Sequence, residues 1–299
     1  MNFATAAEVE ARMPGGIPFD VWIDTIDHIK ETKKVAALGR RAYEAFYGDD
    51  VSSHQENLEL LRVLADLLHK AFENLDASRA ADLKECLEGK GEFFETTFWE
   101  EPRFRGEAHL LLEREISSKM LPTPTLLELL LIAHDLEASI RPNLFRIVWA
   151  AKLAAGDRST KYSDSQLNPE RRQGSLGYAL KQISEWLDST DASRRILEPS
   201  GIEALRSFHQ TLAGHEEDQA SLDEIRNAVA HRDFMIGPTT VVMGFHPTPG
   251  RRQTNDRAHV TVWRRQTLGL MSLVYGFSVM FLAHAAARCG EIRPAFLPR

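Results

Sequence analysis

The sequence predicts an all-α helical bundle with a small β-hairpin inserted before the last helix. Three observations predict it. Apolar residues recur at spacings of three and four along most of the chain, the period of one helix face. Helix-start chemistry, a serine followed three residues later by glutamate, appears at Ser53/Glu56 and Ser221/Glu224. Only towards the C-terminus does the pattern change: TTVVMGF (239–245) and HVTVW (259–263) are β-branched and aromatic and read as two strands.

In chain order, a first helix is expected over residues 19–47, after Ile17 and Pro18 and before Gly48. A second, over 52–75, puts Leu58, Leu61, Leu64, Leu68 and Phe72 on one face. A third covers 77–87 and stops before Gly89. The aromatic stretch 93–102 (FFETTFWEEP) is ambiguous, and a helix over 106–119 ends ahead of Pro122 and Pro124. Thr125 opens a long helix over 126–155, in which Pro142 marks a kink or a break. The polar stretch 156–174 reads as a linker or mobile loop. Helices over 174–188, from Pro199 to about 214, and over 222–232 follow. A loop rich in Pro, Gly and Arg (246–258) joins the two strands, and the last helix runs over 267–287. Residues 1–120 form an N-terminal helical region of no evident role and 121–299 a second helical unit, or the two make one continuous domain.

Composition limits the functions this fold can serve. The chain has 299 residues, 43% hydrophobic and 26% charged, with a net charge of −7. That balance excludes wholesale disorder and a protein that coats nucleic acid through bulk charge. The charge is uneven. Residues 220–299 carry ten basic against five acidic side chains, a surplus of +5, which leaves −12 on the rest. Two cysteines, Cys86 and Cys289, make no disulfide scaffold and have no zinc spacing. Glu8 and Glu10 interrupt the start with no apolar run behind them, so no secretory signal is expected and the cytoplasm is the expected compartment. Residues 268–287 lack any Asp, Glu, Lys or Arg and are long enough to span a bilayer. Ser272, Ser278, His284 and two glycines dilute that apolarity, so a central core helix is expected rather than a membrane partner.

The stretch with chemistry is SLDEIRNAVAHRDF, residues 221–234. Ser221 and Glu224 form a capping box, and Asp223 and Glu224 suit the positive end of the helix dipole. Leu222, Ile225 and Val229 fall on one inward side. Asn227 and His231, four apart, form a polar ridge, and Arg226 lies about 140° around the axis from His231, within reach of the same space. An arginine grips phosphate oxygens in pairs, and an imidazole moves protons near neutrality. Without a ligand the same residues could cap the helix, pair with Asp223 or Asp233 and fill a polar pocket.

Arg226-Asn227-Ala228-Val229-Ala230-His231 resembles the R-N-x-x-x-H form of the motif of HEPN domains (higher eukaryote and prokaryote nucleotide-binding). The resemblance spans about residues 125–287 as architecture, although only these six residues are specific. It implies a HEPN-like domain over 121–299 and a metal-independent endoribonuclease, such as a toxin or an antiviral-defence effector, that dimerises so that two motifs meet at a two-fold axis. His231 would then be the acid/base acting on the ribose 2′-OH, Arg226 would stabilise the phosphorane-like transition state, and Asn227 would orient the phosphate or the histidine. The implied product is a 2′,3′-cyclic phosphate, with no metal and no cofactor. The implied partners are RNA, a second copy of the chain, and an antitoxin or sensor. The alternative is a non-catalytic dimerisation module that binds a nucleotide, RNA or a protein. Arg232, and Arg251, Arg252 and Arg257 in the hairpin loop, with Arg264 and Arg265 beyond, account for much of the local +5 and suit an RNA backbone, or else a solvated hairpin tip.

Other chemistry-like features are weaker. His134-Asp135 resembles the metal-binding pair of HD-type phosphohydrolases, but it sits in a very apolar run where a core or capping pair is expected. His209 and His215 share no helical face, and Gly174-Ser175-Leu176-Gly177 lacks the rest of a phosphate loop.

Overall fold

The computed structural model describes residues 19–47, 55–88, 122–157, 159–163, 176–189, 193, 195–213, 220–244 and 253–289. The helices are α1 (Phe19–Asp27), α2 (Thr32–Tyr47), α3 (Gln55–Glu73), α4 (Ala77–Glu88), α5 (Pro122–Asp135), α6 (Arg141–Ala154), α7 (Leu176–Asp188), α8 (Pro199–Ala213), α9 (Leu222–Ala230) and α10 (Arg257–Cys289). A π-helical turn, Leu136–Ile140, joins α5 to α6. Strands β1 (Phe234–Ile236), β2 (Thr240–Met243) and β3 (Gln253–Asp256) form an antiparallel sheet in that order between α9 and α10. The chain is therefore a helical bundle with a small hairpin sheet before its last helix. The expected elements at 93–102 and 106–119 and most of the loop 156–174 lie outside the described residues.

The bundle is organised around α10, whose 33 residues pack against α1–α6. By length and composition α10 could cross a membrane, but 89% of its most apolar window is buried by the rest of the chain. A helix enclosed on all sides has to be apolar on all sides. Side chains from both sides of position 120, from Trp22 to Ala285, enter one core. Helices α2 and α10 approach closely: a Cβ on Gly276 would lie 2.7 Å from the Gly39 carbonyl oxygen.

Polar groups inside this core are tied to one another. Arg264 of α10 meets Glu128 of α5 at 3.1 Å, with side chains 2% and 4% exposed. Arg146 donates to Tyr162 Oη and Asn143 Oδ1, and Ser278 Oγ also donates to Asn143 Oδ1. His284 stacks on Phe72 and sits beside His69. Burial pushes its pKa down to about 3, so it stays neutral near neutral pH.

Three sequence expectations are corrected. Residues 19–47 are two helices, because the chain turns at 28–31; Lys34 of α2 then closes on Asp24 of α1 at 3.1 Å. HVTVW (259–263) is helical, and α10 begins at Arg257 instead of near 267. Val260, Trp263, Arg264 and Thr267 are all buried, a three-and-four spacing that overrides the β propensity of Val and Thr. The partners of β2 are instead β1 and the polar β3, paired Met235↔Val242 and Val242↔Thr254. The break expected near Pro142 is present. Arg141 N–H bonds Leu136 O, an i→i−5 step, and Pro142 lies at the start of α6, where its missing N–H is tolerated.

Candidate functional site

The motif helix α9 is built as its sequence requires. Ser221 Oγ accepts from the Glu224 N–H at 3.1 Å, and Glu224 Oε2 accepts from the Ser221 N–H at 2.9 Å, a closed capping box. Leu222, Ile225 and Ala228 are buried, and Val229 is half-buried against the core. This face packs on α5, on the π-turn and on α8.

The helix ends at Ala230 rather than 232, and His231 is its C-cap (φ −92°, ψ 1°). Arg232 adopts φ +57°. Its N–H bonds Val229 O at 3.2 Å, and the Asp233 N–H bonds Ala228 O at 2.7 Å. That pair of bonds is a Schellman motif, with arginine at the position where glycine is usual. It turns the chain directly into β1. The imidazole of His231 is exposed and has no hydrogen bond or ion pair among the described residues. Arg232 is likewise exposed.

Arg226 is held tightly. Its Nε and Nη2 donate to Glu137 Oε2 at 3.0 and 2.7 Å, and its Nη1 donates to Asn227 Oδ1 at 2.8 Å. Glu137 lies in the π-turn, and its other oxygen meets Arg141 Nε at 2.9 Å. The Arg226 side chain is 18% exposed and that of Arg141 11%. Arg226 pairs with Glu137 rather than with Asp223 or Asp233. Asp223, one turn before Arg226 and Asn227, has its Oδ1 buried with no hydrogen-bond partner among the described residues. Burial raises its carboxyl pKa, with Glu224 adding to the rise and Arg226 opposing it.

The structure thus links Arg226 and Asn227 directly, and places His231 at the end of the same helix with its side chain in solvent. No side-chain hydrogen bond joins His231 to either of them among the described residues. Of the basic residues expected to follow RNA, Arg251 and Arg252 lie outside the described residues. Arg257 is corrected: it is not in the hairpin loop but at the start of α10, 5% exposed, with its guanidinium on the Gly237 carbonyl and its N–H on Thr239 O at 3.0 Å. The reason is that β3 ends at Asp256, so Arg257 turns inward to tie the hairpin to the helix. Arg264 is equally internal, on Glu128, whereas Arg265 is exposed.

Glu137 was missed in the sequence because it lies 89 residues before Arg226. Its local signal is Pro142, which disturbs the helix in the turn that carries it. The other features stay apart. His134 is exposed while Asp135 is fully buried, and no group of three His, Cys, Asp or Glu that could hold a metal occurs among the described residues. A cavity of about 370 Å3 is lined in part by Lys70, Asn74, Ser189 and Arg195. The C-terminal ends of α3, α6 and α7 converge there. Asn74 Nδ2 donates to Leu153 O and Ala154 O at 3.0 and 3.1 Å, and Lys70 donates to Ile196 O. Lys70 and Arg195 are there the cations that helix ends favour.

Comparison with family models, with curated proteins and with solved structures gives no match for this chain.

Proposed function

We propose that the chain is a metal-independent endoribonuclease of the HEPN type, working as a homodimer in which two α9 ends face each other. The observation that carries this reading is the exposed imidazole of His231, without a partner among the described residues, at the end of the helix that also presents an arginine–asparagine pair. In this reaction the neutral imidazole takes the 2′-OH proton as the 2′ oxygen attacks phosphorus. The P–O5′ bond breaks, and the leaving oxygen takes its proton from the imidazolium of the second copy. The products are a 2′,3′-cyclic phosphate and a 5′-OH end. Arg226 offsets the charge that builds on the phosphorane oxygens, and Asn227 holds the guanidinium.

Single-stranded RNA incubated with the protein in EDTA tests this. Cleavage with cyclic-phosphate and 5′-OH ends is expected, falling by about 100-fold or more in His231→Ala and Arg226→Ala. A dimer is expected by sedimentation at micromolar concentration. Uncut RNA with the intact protein, or cleavage that survives both substitutions, overturns the reading. The second reading, a non-catalytic RNA- or partner-binding module, is favoured by the carboxylate that already occupies Arg226. It expects both variants to change binding with no RNA cut by any form.

A further inference from the structure

Glu137 lies outside the six-residue motif, yet it makes more contact with the motif arginine than any motif residue does. Two N–H groups of Arg226 converge on Glu137 Oε2, and a third goes to Asn227 Oδ1. A guanidinium has five N–H donors in a rigid plane. Among the described residues three are therefore committed, and one N–H on each of Nη1 and Nη2 is left. The plane is fixed from the Nε side while the terminal nitrogens keep donors for an incoming group.

Charge supports the same assignment. Glu137 is shared: Oε1 forms an ion pair with Arg141 Nε, and Oε2 accepts from Arg226. One carboxylate facing two guanidinium groups neutralises neither of them fully, and Asp223 is a second acidic group within electrostatic reach of Arg226. The segment that carries Glu137 is itself unusual. It is a single π-helical turn, and such widened turns commonly occur at functional sites.

We infer that Glu137 is a positioning residue, which holds the Arg226 guanidinium from the π-turn so that its remaining N–H donors meet the scissile phosphate. The inference rests on the endoribonuclease reading above. A carboxylate that merely masked Arg226 would weaken phosphate binding. One that orients it serves the transition state, where a small misplacement is costly.

The test is Glu137→Gln, which keeps the shape and removes the charge. Single-turnover cleavage of a labelled RNA is expected to slow about 10- to 100-fold with KM unchanged or lower. In an Arg226→Ala background the same change is expected to cost nothing further, because the arginine it serves is gone. Thermal melts check that the fold survives. Unchanged or faster cleavage by Glu137→Gln, or an undiminished cost in the Arg226→Ala background, overturns the inference while leaving the ribonuclease reading intact. If the wild-type protein cuts no RNA, that reading fails first, and 15N NMR of the Arg226 Nε–H decides the positioning separately. A slowly exchanging, resolved signal that is lost in Glu137→Gln supports it, and an averaged signal in the wild type overturns it.

Discussion

Arg232 occupies a backbone conformation that favours glycine, φ +57°, at the joint between α9 and β1. A side chain there costs on the order of 1 kcal/mol. Glycine would satisfy the same Schellman hydrogen bonds without that strain, so local stability does not account for arginine here. The residue follows His231 directly and is exposed, as an RNA-contacting side chain has to be. Arg232→Gly is therefore expected to raise the unfolding free energy by about 0.5–1 kcal/mol, with an unchanged denaturant slope. The same variant is expected to weaken RNA binding several-fold. Denaturation curves and anisotropy with a non-cleavable 2′-O-methyl RNA read the two effects separately. A gain in stability with full RNA affinity rules out Arg232 as an RNA contact, and a loss of stability rules out the strain.

At the scale of elements, the α2–α10 crossing sets how the central helix lies. Gly276 Cβ would meet backbone, the Gly39 carbonyl oxygen at 2.7 Å, as well as Leu61 at 3.0 Å. Gly39 Cβ would meet the Met280 side chain, with Sδ at 2.6 Å, and a methionine can swing aside. Gly276→Ala is therefore expected to destabilise by about 1–3 kcal/mol and Gly39→Ala by distinctly less. Urea denaturation of the two variants reads the difference; equal losses, or none for Gly276→Ala, would show that the crossing is looser than this spacing implies. Elements whose apolar spacing also matched their local chemistry were legible in the sequence. α3 showed its leucine face, α7 its Leu176–Leu187 stripe and α9 its capping box. Two failures share a cause, since the deciding partner was remote. Val260 and Thr261 have strand propensity, but the burial of their neighbours against other helices makes them helical. Arg257 and Arg264 looked like surface charge until Gly237 and Glu128 were placed beside them. The candidate site divides the same way. The cap, His231 and the Arg226–Asn227 pair were readable from the eleven contiguous residues 221–231, whereas Glu137 became visible only when the π-turn was brought against α9.

For the whole molecule, the charge surplus of the C-terminal quarter is smaller to an approaching RNA than it is on paper. Of the ten basic residues from 220 onwards, Arg257 and Arg264 are buried in internal bonds, and Arg226 shares its charge with Glu137. The rest of the chain carries −12 and repels a polyanion at long range. An RNA that binds here is therefore held at a few phosphates near the end of α9, and not along a basic groove. Counterion release makes this measurable, because log K falls against log salt with a slope of about −0.7 per phosphate neutralised on a single strand. In the proposed dimer, with two α9 ends each engaging about two phosphates through Arg226 and Arg232, the slope expected is about −3. Screening of the acidic body as salt rises opposes the loss of contacts and flattens the slope further. Titration of the 2′-O-methyl RNA between about 50 and 200 mM salt measures it. A slope of about −6 or steeper would mean that cations well beyond Arg226 and Arg232 carry the RNA, and Arg251→Ala with Arg252→Ala would then be expected to bring it back towards −3.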